Sequence, residues 1–157
     1  IEVGGEVRVK GRNSEGRLWR VGIERPAGEG KRRIFKIMDL KDMGLATSGD
    51  YRNRYVDSKG VARSHTIDPT TGEPVKHTLA SVSVIHKDCM YADAWATALN
   101  VLGAERGLKF ANENKIAALF ITREGIEPTT VDLDHVDTKY VAKESAEMTR
   151  YLKALKR

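Results

Sequence analysis

Within SHTIDPTTGEPV, residues 64–75, His65 stands just before an aspartate–proline corner with a glycine exit. An imidazole titrates closest to neutral pH of all side chains, so it can take a proton from a hydroxyl or orient a phosphate. A structural histidine satisfied by hydrogen bonds accounts for the same letters. Asp93 is the only charged residue in CMYADAWATALNVL, residues 89–102. Thr97 follows at i+4, one helical turn along the same face, where a carboxylate and a hydroxyl can converge on a hard cation such as Mg²⁺. An ion pair between Asp93 and one of the many Arg or Lys side chains is the competing reading. In ATSGDYRNRY, residues 46–55, Ser48-Gly49 at a strand end lets backbone N–H groups approach a phosphate, with Arg52 or Arg54 supplying charge. A strand-to-strand turn with exposed arginines explains that stretch as well.

These residues need elements to position them. Asp68 before Pro69 is pushed to extended backbone, Pro69 presets the first corner, and Gly72 tolerates positive φ at the exit. Alternation then places His65 and a buried-looking Ile67 on one face of the approach, with Ser64, Thr66 and Asp68 on the other. Strands are predicted near 2–10, 18–24, 32–40 and 43–48, forming an antiparallel meander, with Gly4-Gly5 read as a bulge or a close approach of backbone to ligand. Segments 51–56 and 61–67 flank Asp57-Ser58-Lys59-Gly60 as a hairpin. Residues 79–86 make a further strand. The period then changes: Asp88 caps a helix over 89–102, Gly103 ends it, and a second helix covers 104–113. An apolar surround for Asp93 predicts that the first of these helices is buried. Residues 116–121 return to strand, and 139–155 is read as a final amphipathic helix on Val141, Met148, Leu152 and Leu155.

The 157 residues suit one domain with a core of its own. Cys89 is the single cysteine, which excludes a disulfide framework or a zinc cluster within the chain. No window approaches the length of an apolar membrane span, and the start lacks a signal-peptide pattern. The chain opens directly on a strand pattern without methionine, which suggests a fragment or a mature chain whose front is missing. A net charge of +5 is compatible with anionic ligands, but glutamates interrupt the arginines and only Lys31-Arg32-Arg33 forms a run, read as a solvated hairpin tip after Gly28-Glu29-Gly30. Aromatics are 6% of the chain, too few for the stacking platforms of a nucleic-acid-binding β domain, so no nucleic-acid partner is expected.

Taken in order, IEVGGEVRVKG at 1–11, WRVGIERP at 19–26, ATSGDYRNRY, SHTIDPTTGEPV, LASVSVI at 79–85 and YADAWATAL at 91–99 resemble the C-terminal part of the ApbE family of Mg²⁺-dependent FAD:protein FMN transferases, from residue 1 to about 121. The resemblance implies an α+β, T-fold-related architecture in which 1–157 is the C-terminal portion of a single domain. It implies transfer of the FMN half of FAD onto a Thr or Ser of a partner flavoprotein, with AMP leaving. On it, Asp93 and Thr97 are metal ligands, His65 is the candidate base, and Ser48, Gly49 and Ile67 help line the FAD pocket. Hydrolysis of FAD to FMN and AMP and noncatalytic flavin binding are the alternatives. Upstream segments of the family, which supply much of the flavin pocket and a main-chain metal ligand, are absent here, so this chain is expected to hold part of the site and to need that segment as a partner. By the same resemblance the protein is expected at the periplasmic side, as an inner-membrane-associated lipoprotein.

Overall fold

The computed structural model describes residues 1–26, 33–50, 55–127 and 138–155. The strands are β1 (Glu2–Val3), β2 (Glu6–Arg8), β3 (Trp19–Glu24), β4 (Ile34–Leu40), β5 (Gly44–Gly49), β6 (Tyr55–Val56), β7 (Ala62–Arg63), β8 (Ile67–Asp68), β9 (Glu73–Pro74) and β10 (Leu79–His86). Helix α1 (Cys89–Glu113), β11 (Ala117–Glu124), β12 (Lys139–Glu144) and α2 (Ala146–Leu155) complete the order. The α+β class is as expected.

The strands do not form a simple meander. A six-stranded antiparallel sheet has the order β1-β2-β5-β10-β11-β12, while β3-β4, β6-β7 and β8-β9 stand apart as hairpins. Strands β10 and β11 are buried along nearly their whole length because both of their faces are covered. Val82, Val84, Ala118 and Phe120 face α1, while Leu45, Ile85, Leu119 and Ile121 pack against Met38 and Leu40 of the β3-β4 hairpin and Met148 of α2. Lys36 on β4 and Glu144 on β12 form an ion pair that fastens the hairpin to the sheet.

Three local expectations are corrected. Gly4 and Gly5 are neither bulge nor ligand approach: with φ of 65° and 108° they make the two-residue turn between β1 and β2, where Glu2 faces Val7 and Val3 faces Glu6. Residues 139–144 are strand, each paired to β11, and only 146–155 is helical. The helical spacing of Val141 with Met148 misled because a six-residue edge strand and a helix follow one another with one residue between. The 61–67 run is likewise two short strands belonging to different hairpins. The basic run 31–32 and the Gly28-Glu29-Gly30 turn lie outside the described residues, as do Arg52 and Arg54.

The split of the helical region at Gly103 is as predicted. Its φ of 77° and ψ of 176° break α1 into two helical runs, a conformation open essentially to glycine alone. Asp88 occupies the N-cap position in extended backbone, although its carboxylate makes no capping bond. A stripe of small residues, Ala92, Ala96, Gly107 and Ala111, seats the helix close to the sheet. At Gly107 an added Cβ would lie 2.9 Å from Phe120 Cε1, so the approach requires glycine.

Candidate active site

Helix α1 is not buried on every side. Its buried residues fall on one stripe that also includes Leu99 and Asn100, whereas Met90, Tyr91, Asp93 and Thr97 are exposed. The expectation of a buried Asp93 is therefore overturned: apolar neighbours on a helical wheel do not decide burial when alanines are too small to reach a second layer. Asp93 makes no hydrogen bond or ion pair among the described residues, so the competing reading of an arginine or lysine partner finds no support there.

The structure brings Ser48 and Thr97 together. Their side-chain oxygens are 2.7 Å apart, joining the end of β5 to α1 across the flank of the sheet. Strand β2 pairs with β5 only at Leu45 and Gly44, which leaves that edge of β5 uncovered by β2 from Ala46 onward. Ser48 and Gly49 are held on the other side by β10, opposite Val82 and Ser81. Asp93 precedes Thr97 by one turn on the exposed face.

The 64–75 segment is a turn of the kind its letters predict. Asp68 Oδ1 accepts hydrogen bonds from Thr70 N–H at 2.9 Å and Thr70 Oγ1–H at 2.7 Å, and the Asp68 carbonyl accepts from Gly72 N–H at 2.8 Å. Those Thr70 bonds hold the Asp68 carboxyl below its ordinary range. Gly72 has φ 70°, as its exit role demands. His65 and Ile67 do share one face, and it is the exposed one; Ile67 is 47% exposed rather than buried. Ser64, on the opposite face, is buried and accepts from Thr66 N–H. His65 makes no hydrogen bond among the described residues, so the reading of it as a hydrogen-bonded structural histidine finds no support there.

Asp93 and Thr97, with Ser48 beside Thr97, offer only oxygen donors, which suits a hard cation rather than a soft one. Among the described residues no group of three or more His, Cys, Asp or Glu gathers in one place, so Asp93 and Thr97 could hold Mg²⁺ only as part of a set completed by phosphate oxygens, water or other chain. A separate cleft of about 870 Å³ opens beside the Gly103 break. It is lined by charges of both signs, Asp68, Arg106, Glu124 and Lys143 among them, and by none of the six candidate residues. At the cleft, His77 Nε2 lies 2.8 Å from the Asn100 carbonyl, which the helix break releases, and burial holds the imidazole below its ordinary range.

The feature that sequence reasoning missed is a buried ion pair. Arg123 Nη2 and Nη1 reach Asp50 Oδ1 and Oδ2 at 2.6 and 3.3 Å, with side chains 0% and 4% exposed. A signal was present: Arg123 follows Leu119 and Ile121 at the strand period, so it falls on the same inward face.

Residues 1–120 match the ApbE family. The chain belongs to the ApbE family. This ApbE-family chain is 47% identical over 123 residues to the FAD:protein FMN transferase of Vibrio cholerae, covering 78% of this chain and 36% of that protein. It is 41% identical over 125 residues to the enzyme of the same name from Escherichia coli, covering 80% and 35%. Among solved structures, the apo form of the Pseudomonas stutzeri flavinyl transferase ApbE superposes with a TM-score of 0.73 at 39% identity, over 96% of this chain and 42% of that one. The flavin transferase ApbE from Vibrio cholerae gives 0.71 at 38% identity, over 95% and 42%. The ApbE-family fold is thereby shown, and the chain spans about a third of the length of the curated relatives it matches.

Proposed function

We propose that this chain is part of an FAD:protein FMN transferase that joins the FMN moiety of FAD to a Thr or Ser hydroxyl of a partner flavoprotein and releases AMP. The observation that carries the reading is the Ser48–Thr97 oxygen contact, with an exposed Asp93, unpaired among the described residues, one turn before it, in a chain whose relatives are named for this transfer.

Asp93 and Thr97 would hold Mg²⁺, which when bound neutralises pyrophosphate charge. Ser48 and Gly49 flank that position and, with Ile67, line the FAD pocket. Exposed His65 accepts the proton of the acceptor hydroxyl as its oxygen bonds to the FMN phosphorus and the bond to the AMP oxygen breaks. The rest of the full-length protein supplies the remaining pocket and metal ligand, and the same reading puts that protein at the periplasmic side as a lipoprotein.

The test uses the full gene product with FAD, Mg²⁺ and a candidate acceptor, following covalent flavin fluorescence on the acceptor. Asp93→Ala should abolish transfer, and Asp93→Asn should weaken the Mg²⁺ dependence by removing the charge. His65→Ala should slow transfer by ~10²–10⁴-fold with little change in FAD affinity. An unchanged Mg²⁺ titration in Asp93→Ala would remove the metal role. AMP release without labelled acceptor would assign FAD hydrolysis instead, with water taking the place of the hydroxyl.

A further inference from the structure

We infer that the buried Asp50–Arg123 ion pair is the positioning device that holds Ser48-Gly49 against Thr97. The inference rests on the proposed function only for what the positioned groups do, not for the positioning itself.

Beyond Ala46 the β5 edge on the β2 side lacks a β2 partner, and the last strand residues could swing away from α1. Asp50, one residue past Gly49, is pinned twice among the described residues. Its N–H donates to the Ala80 carbonyl at 3.1 Å, and its carboxylate takes both Arg123 nitrogens. Arg123 is itself fixed, since its N–H donates to the Thr78 carbonyl at 2.9 Å. The pair therefore runs from the end of β5, past the start of β10, to β11. It does so where β10 has its register irregularity between Leu79 and Ser81, the place where the ladder alone holds the strands least regularly. Both side chains are shielded from solvent, and the cleft that Arg123 borders is the one beside Gly103, so the pair's effect on the Ser48–Thr97 flank passes through the backbone of Ser48-Gly49. A bidentate guanidinium–carboxylate contact fixes both distance and plane, which a lysine cannot do.

The decisive experiment has an arm that needs no activity. In the full-length protein, with Cys89 and any other cysteine replaced by alanine, Ser48→Cys and Thr97→Cys are introduced together. The rate of disulfide formation under glutathione disulfide is then measured at a temperature where near-ultraviolet circular dichroism shows each variant folded. The 2.7 Å contact predicts ready closure, and adding Arg123→Met should slow it by about ten-fold through loss of effective concentration. Arg123→Lys should recover part of the rate. If Arg123→Met does not fold, the double change Asp50→Asn with Arg123→Met carries the test, because it leaves no lone buried charge. Closure at the parent rate in a folded variant would overturn the inference.

The second arm keeps Ser48 and Thr97. There Arg123→Met should raise the Mg²⁺ concentration for half-maximal transfer by about ten-fold, as loss of a supporting contact does at metal sites, with kcat at saturating Mg²⁺ far less changed. A merely structural pair would lower the melting temperature and leave the Mg²⁺ dependence alone, and an unchanged Mg²⁺ dependence beside slowed closure would break the link to the site. If the parent protein shows no flavin transfer at all, the proposed function fails while the disulfide arm still decides the positioning.

Discussion

Asp50 and Asp93 are two carboxylates whose surroundings reverse what their neighbours in sequence imply. Asp93 sits among alanines, methionine and tryptophan, yet it is exposed and without a partner among the described residues. Asp50 sits in ATSGDYRNRY, a stretch with the composition of a polar turn, yet its side chain is 4% exposed and clasped by Arg123. The difference suits the two tasks proposed for them. A carboxylate proposed to receive a cation must be reachable and uncommitted, whereas one proposed to fix backbone must be enclosed and committed, since an unpaired buried charge is strongly destabilising. Unfilled capacity at the surface and filled capacity in the interior are how these two regions differ.

The contrast breaks most visibly under mutation of Arg123. Arg123→Met should destabilise the fold by about 3–5 kcal/mol because it takes the bidentate guanidinium from a buried carboxylate, while Asp93→Ala should stay within about 0.5 kcal/mol as a surface change. Urea unfolding of both variants checks the pair, and equal losses would erase the distinction. Gly103→Ala comes next. It forces a side chain onto a backbone with φ of 77°, and its Cβ would lie 3.1 Å from His77 Cδ2. A loss of about 1–3 kcal/mol is expected, read in the same unfolding assay.

His77 sharpens the buried side of the comparison through pH. Its imidazole is pushed below the ordinary value by burial, while the Asn100 carbonyl and Asp50 oppose that and Arg123 adds to it. A depressed folded value means that the unfolded chain binds the proton more readily. Stability is thus fully present above about pH 6.5 and is lost as pH falls through the folded value. The melting temperature of the parent should drop more between pH 7.5 and about pH 5 than that of His77→Gln, whose amide can still donate to Asn100. Equal drops would remove His77 as the cause. The smallest effect is expected at Asp88. An N-cap aspartate is ordinarily worth about 1 kcal/mol, but this one makes no side-chain capping bond, so Asp88→Ala should change stability by less than about 0.5 kcal/mol.

The local devices were legible from the letters. Asp68-Pro69 with Gly72 set the turn and Gly103 broke the helix, because each works through its own φ and its near neighbours. The 79–86 strand was legible for a similar reason, its β-branched apolar run standing out against polar flanks. That Asp93 and Thr97 lie one turn apart on one helix face also follows from helix geometry alone. Burial and partnership were not legible in this way. Which face of α1 meets the sheet depends on where β5 and β10 lie, and whether 139–144 is strand or helix depends on β11 offering an edge to pair with. The Asp50–Arg123 and Ser48–Thr97 contacts join residues 73 and 49 positions apart. Sequence fixes what each side chain can do over a few residues, but only the folded sheet decides which distant groups share a place, because that is set by register and packing and not by spacing along the chain.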